Sequence, residues 1–120
     1  MEKNLVYGEM LDIYKGLLTD KQTEALEYYY YQDYSLGEIA ELMDVSRQGV
    51  RDFIKRGESV LDEAEQKLNL VEKFRAVARA GEAALEIKVI NKKLAESRRI
   101  DELSDEIINA MKFVGNSEVE

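Results

Sequence analysis

Ser35-Leu36-Gly37-Glu38-Ile39-Ala40-Glu41-Leu42-Met43-Asp44-Val45-Ser46-Arg47-Gln48-Gly49-Val50-Arg51-Asp52-Phe53 is the stretch that decides the fold. Leu36, Ile39, Ala40 and Met43 recur at three- and four-residue intervals, so they share one helical face. Val50, Phe53 and Ile54 repeat the pattern farther on. The joint between the runs, Met43 to Ser46, has room only for a turn. Ser46 suits an N-cap, because its hydroxyl can accept an orphan N–H of the next helix. Asp44 tolerates the left-handed conformation that ends the first run. Ala40 is small enough for the crossing of two steeply angled helices. Val45 plugs the joint from the turn, and Val50 and Phe53 close it from the second helix.

This spacing predicts a helix-turn-helix, whose second helix can enter a DNA major groove. Arg47, Gln48 and Arg51 are left outside near the start of that helix. Their long donors suit phosphates and the purine edges exposed in the groove. Lys55 and Arg56 come next, suited to hold the nucleic-acid backbone, while Ser46 orients the helix by capping it.

The rest of the chain bounds what the motif can be. Its 120 residues suffice for one domain, or one domain with a helical arm. There is no Pro, which favours long uninterrupted helices. Without Cys there are no disulfides or thiolate metal sites, and without His the commonest general base and metal ligand are missing. No apolar run approaches the ~20 residues that span a bilayer, and the amino terminus lacks a signal-peptide layout. The expectation is a cytoplasmic protein with no membrane insertion. The net charge of −8 argues against indiscriminate nucleic-acid binding. The balance is uneven, however: residues 46–57 carry a net +3 and residues 71–100 a net +4.

Outward from the motif, everything reads as helix. The first is expected from about Lys3 to Leu17, with Leu5, Val6, Met10, Ile13, Tyr14 and Leu17 inward. Thr19-Asp20-Lys21-Gln22 is a capping box, with Leu18 as its staple. Ala25, Leu26 and Tyr29 face inward in the second helix. Tyr28 to Tyr31 point all round that helix, so at least one ring is expected to be exposed; two in the core and two half-buried with wet hydroxyls is the favoured reading, and base stacking or a protein contact is the alternative. Beyond Phe53 the motif's second helix continues to about Asn69. Gly57 interrupts it at a cost of ~1 kcal/mol relative to Ala, for which close approach of a neighbouring helix is the expected reason. A long helix from about Val71 to Leu94 is rich in Ala and Gly, with an apolar arc wider than one neighbour requires. It either lies between two helices of its own chain or forms a subunit interface. The last helix is expected from Ile100 to Phe113, with Ile100, Leu103, Ile107, Ala110, Met111 and Val114 sharing one face at nearly ideal spacing. Gly115 should stop it, and residues 116–120 should form a flexible tail. The domain division expected is 1–69, containing the motif at about 35–56, then 70–115 as an extension or dimerisation arm.

No chemistry is visible. The phosphate loops GxxxxGK[ST] and GxGxxG are missing. Asp12, Glu24 and Glu27 read as solvated carboxylates rather than Mg²⁺ ligands. No enzyme, cofactor or metal is expected.

The stretch from Leu17 to Leu68 resembles the carboxy-terminal DNA-binding region of sigma factors, called region 4. The matching signals are Leu18-Thr19-Asp20-Lys21-Gln22, Ser35-Leu36-Gly37-Glu38-Ile39-Ala40 and Val45-Ser46-Arg47-Gln48-Gly49-Val50. The whole chain is closer still to the YlxM-like family of small bacterial proteins. That resemblance rests on the amino-terminal Glu-Lys-Asn, Tyr28-Tyr29, Ser46 to Val50, and Asp52-Phe53-Ile54-Lys55-Arg56-Gly57-Glu58. It implies an all-α helix-turn-helix fold and a regulatory or accessory role near the signal recognition particle, beside whose GTPase gene the family is encoded. Gly49 stands where much of that family has Ala, which loosens the start of the recognition helix.

Three readings are open. The first is a DNA-binding regulator using Ser46, Arg47, Gln48, Arg51, Lys55 and Arg56. The second is an accessory that binds the particle's RNA or GTPase through Lys88, Lys92, Lys93, Arg98 and Arg99. The third is a homodimer through residues 70–114.

Overall fold

The structure, a computed structural model, describes residues 3–114. Among them the elements are α1 (Val6–Tyr14), a 3₁₀ turn (Lys15–Leu17), α2 (Asp20–Tyr30), α3 (Leu36–Met43), α4 (Arg47–Leu68), α5 (Leu70–Leu94) and α6 (Arg98–Val114), with no strand. The chain is all-α. It divides into two compact units between Val71 and Glu72. The expectations for Gly115 and for residues 116–120 lie outside the described residues.

In the first unit, side chains satisfy the free N–H groups that start each of α2, α3 and α4. Thr19 Oγ1 accepts from the Gln22 N–H at 3.2 Å, and Gln22 Oε1 accepts from the Thr19 N–H at 3.0 Å. Ser35 and Glu38 make the same reciprocal pair, both bonds at 3.1 Å. Ser46 Oγ accepts from the Gly49 N–H at 3.0 Å. Asp33, Asp44 and Asn69 turn the chain with left-handed φ of 57°, 55° and 54°. Their short polar side chains ease that conformation by bonding locally.

These helices converge on α4, which packs against α1, α2 and α3. Its buried stripe is Val50, Ile54, Gly57, Leu61 and Ala64. Gly57 is a contact point: a Cβ there would lie 2.5 Å from Leu26 Cδ1, and Leu26 is fully buried. The close approach expected of this glycine is therefore made by α2.

The first helix is shorter than its periodicity suggests. Leu5 precedes it and Leu17 lies in the 3₁₀ turn, and they are 75% and 59% exposed. Leu11, outside the expected face, is fully buried beside Met10 and Tyr14. Tightening to 3₁₀ geometry after Tyr14 rotates Leu17 off the α-helical stripe.

The tyrosines bind carboxylates. Tyr7 Oη donates to Asp62 at 2.9 Å, Tyr14 Oη to Glu65 at 2.7 Å and Tyr30 Oη to Glu58 at 3.3 Å, while Tyr31 Oη donates to Asp12. Of the run from Tyr28 to Tyr31, Tyr29 is buried, Tyr28 and Tyr30 are half-buried and Tyr31 is 40% exposed. Tyr28 stacks on Tyr34 with centroids 5.8 Å apart. One ring is in the core rather than the two expected, and the hydroxyls of Tyr30 and Tyr31 are taken up by carboxylates. Tyr14 and Glu65 also start α5: the Leu70 N–H donates to Tyr14 Oη at 3.0 Å, and the Val71 N–H to Glu65 Oε1 at 3.0 Å.

The second unit contains an antiparallel pair, α5 and α6. Asn91 is buried and closes their turn, donating to the Ser97 carbonyl at 2.8 Å and accepting from the Ser97 N–H at 3.0 Å. Lys88 Nζ pairs with Asp105 at 2.8 Å and Asp101 at 3.0 Å. Gly81 is buried beneath Met111, with no room for a Cβ. Of the apolar face that periodicity marks on α6, only Met111 is buried. Ser104, Ile108 and Met111 are buried, whereas Ile100, Leu103, Ile107, Ala110 and Val114 are exposed. Periodicity identified the larger apolar stripe of α6, but the seam with α5 runs along another face.

Tyr14→Phe should lower the stability of the first unit by about 1–2 kcal/mol, because Leu70 N–H loses its acceptor and Glu65 a donor. Urea unfolding checks this. A second expectation concerns alkaline pH. Burial, and then the bond to Asp62, push the Tyr7 hydroxyl from 10.0 up to about 12. Between those values the unfolded chain releases this proton while the folded chain retains it, so stability falls as pH rises through the window. The urea midpoint should drop less steeply there in Tyr7→Phe than in the unsubstituted protein.

Candidate nucleic-acid interface

The helix-turn-helix joint is built from backbone bonds that its sequence favours. At the end of α3, the Val45 N–H donates to the Ala40 carbonyl at 3.1 Å and the Asp44 N–H to the Glu41 carbonyl at 3.4 Å. This pattern is a Schellman closure with aspartate in the left-handed position. Two residues later Ser46 opens α4. Ala40 is buried at the crossing, Val50 is fully buried opposite, and Val45 and Phe53 pack against the core from its edge.

The opposite face of α4 presents Arg47, Gln48, Arg51, Lys55 and Arg56, all exposed. Arg47, Arg51 and Lys55 succeed one another at four-residue steps, so they stack along one line of the helix. Gln48 Nε2 donates to Asp52 Oδ1 at 3.1 Å, one turn along the helix. Its amide keeps a second N–H and a carbonyl for another partner. Ser46 is exposed too, but its hydroxyl is engaged in the cap. A Cβ at Gly49 would stand 3.3 Å from that hydroxyl, so glycine leaves the cap uncrowded.

A feature missed by the sequence reading sits beside this strip. The Arg47 guanidinium folds back over the first turn of α3, where a Cβ at Gly37 would lie 2.9 Å from Nη2 and 3.2 Å from Nε. A larger residue at 37 would push the guanidinium aside, a shift that this exposed arginine can make. Between the two helix starts is a cleft of about 360 Å³, lined by Ser35, Leu36, Gly37, Arg47, Gln48 and Arg51. The Arg47 guanidinium thus stands at the positive end of the α3 dipole with Arg51 lining the same cleft, a setting that favours an anion such as a phosphodiester. No periodicity signals this; only the crossing of α3 and α4 brings Gly37 under Arg47.

The second basic cluster is less uniform. Lys88 is committed to Asp105 and Asp101, and these two carboxylates raise its ammonium above its ordinary pKa. Lys92 and Lys93 are exposed in the last turn of α5. Arg98 and Arg99 are exposed in the first turn of α6, at its positive pole. Arg99 lies 3.6 Å from Glu102.

Among the described residues, no group of three or more acidic side chains is arranged to hold a metal ion. No helix there is long and apolar enough to cross a membrane.

Comparison with known proteins agrees with the joint. A family profile described as "Putative helix-turn-helix protein, YlxM / p13 like" matches residues 1–108. A UPF0122 protein of Caldanaerobacter subterraneus subsp. tengcongensis is 54% identical over 74 residues, covering 61% of this chain and 63% of the relative. One from Thermoanaerobacter sp. (strain X514) is 51% identical over 78 residues, covering 64% of this chain and 67% of the relative. One from Bacillus mycoides (strain KBAB4) is 39% identical over 111 residues, covering 92% of this chain and 96% of the relative. The chain belongs to the UPF0122 family of YlxM/p13-like helix-turn-helix proteins.

Proposed function

We propose that the chain is a non-enzymatic DNA-binding regulator that lays α4 into the major groove. The observation that carries this reading is the exposed strip of Arg47, Arg51, Lys55 and Arg56 on a capped helix start, opposite a buried apolar stripe. Arg47 and Arg51 hold phosphates or guanine edges, and Gln48 reads a base with its free amide groups. Lys55 and Arg56 grip the backbone, and Ser46 fixes the direction of the helix. Affinity is modest and salt-sensitive, because the strip is small and the chain as a whole carries −8. The resemblance to a family encoded beside signal recognition particle genes makes a promoter from that neighbourhood the first probe.

The second reading, an accessory of the particle that binds its RNA or GTPase, draws on Lys92, Lys93 and Arg98, which are exposed. It is weakened by the pairing of Lys88 with two aspartates.

Fluorescence anisotropy on promoter DNA across a salt series tests the first reading. Arg47→Ala with Arg51→Ala should weaken binding at least tenfold and reduce the salt slope by about 1 to 2, roughly one counterion per lost phosphate contact. Both side chains are exposed, so thermal stability should hardly change. Unchanged affinity and slope would reject the assignment. Retention of particle RNA, lost on Lys92→Ala with Lys93→Ala, would favour the second reading.

A further inference from the structure

The second unit presents a long apolar face to solvent. Along α5, Ala76, Ala80, Ala83, Ile87, Ile90 and Leu94 recur at alternating four- and three-residue steps, and all are exposed. Ile87 is 49% exposed, Ile90 47% and Leu94 82%. Along α6, Ile100, Leu103, Ile107, Ala110 and Val114 recur at alternating three- and four-residue steps and are exposed as well. Such steps are the heptad signature of a helix seam.

The contacts that close the hairpin use other faces: Lys88 with Asp105, Asn91 with Ser97, and Gly81 with Met111. They set Ile90 level with Ile100, Ile87 level with Leu103, and Ala83 level with Ile107. Helices of one hand running antiparallel then carry both stripes on the same side of the hairpin. The face is about 27 Å long at 1.5 Å per residue and two helix diameters wide, on the order of 500 Å². Apolar patches of this size are often functional, and two such faces pressed together would bury about 1,000 Å², the lower bound for a specific interface.

We propose that this face docks against the same face of a second copy of the chain, turned end for end. The grading of side-chain size favours a twin over an unrelated partner. Alanines fill the first half of the α5 stripe, and isoleucine and leucine the second half. A two-fold axis across the middle lays Ala83 opposite the partner's Ile87, Ala80 opposite the partner's Ile90, and Ala76 opposite the partner's Leu94. The same axis sets Ala110 opposite the partner's Ile100 and Ile107 opposite the partner's Leu103. Small side chains meet large ones in four of the five pairs, which lets the layers interdigitate. The contact is self-complementary and closed, so it stops at two copies. It is independent of any DNA contact.

Sedimentation equilibrium of the full chain at micromolar concentration should give twice the monomer mass. High salt should leave that mass unchanged, unlike binding to DNA. Ile87→Glu with Leu103→Glu should give a monomer with undiminished helical circular dichroism. Because the chain has no cysteine, cross-linking can fix the arrangement. Leu103→Cys chains mixed with Ile107→Cys chains should join on mild oxidation, whereas Leu103→Cys chains mixed with Ile87→Cys chains should not. A monomer at every concentration overturns the proposal. So does joining of 103 to 87 without joining of 103 to 107, or a dimer that survives both glutamates.

Discussion

Burial of a single stripe on α4 is the constraint on which the first unit depends. Val50, Ile54, Gly57, Leu61 and Ala64 give α1, α2 and α3 a common surface. At Gly57 that surface is cut down to the backbone so that Leu26 can reach it. Shortening the stripe would leave the other three helices with little to pack on. Its existence also decides where polar groups can go, because a helix buried on one side has only the other for charge. The recognition strip is therefore the complement of the core along the same helix.

The acidity of the chain has a structural share. Asp12, Glu58, Asp62 and Glu65 each accept a tyrosine hydroxyl. A tyrosine lying across a helix boundary buries its ring and needs an acceptor for its hydroxyl, and a carboxylate at the rim serves. The Glu58 carboxyl lies above its ordinary pKa, because burial outweighs the opposite pull of Lys55 and Tyr30. Acid is thus used away from the start of α4, where Asp52 lies among the arginines and lysines and bonds Gln48.

Much of the first unit was legible because its signals are local. Thr19 and Ser46 announce helix starts, Asp44 and Asn69 announce ends, and each acts within a few residues. Gly57 was legible as a close approach, although its partner was not. The ends of α1 were misread because a 3₁₀ turn breaks the stripe that Leu17 would continue in an unbroken helix. In α6 the apolar periodicity was legible, but what covers it was not. A pattern reveals that a face is apolar, not which surface covers it. The seam that holds α5 to α6 is partly polar, made by Lys88, Asn91 and their partners, and so gives a weaker signal. In the candidate site the donors were legible as types, whereas the seat of Arg47 over Gly37 depends on tertiary geometry.

The caps of the first unit have a kinetic consequence. Each is completed by residues three positions apart, so a helix boundary is specified before any distant contact exists. Only short links separate α1 to α4, and the ordering entropy of closing each is small. The distant contacts, such as Tyr7 with Asp62 and Tyr14 with Glu65, then join segments whose local structure is already set. The unit that carries the recognition strip can thus mature while the ribosome is still adding α5 and α6, exposing its apolar stripe to a crowded cell only briefly.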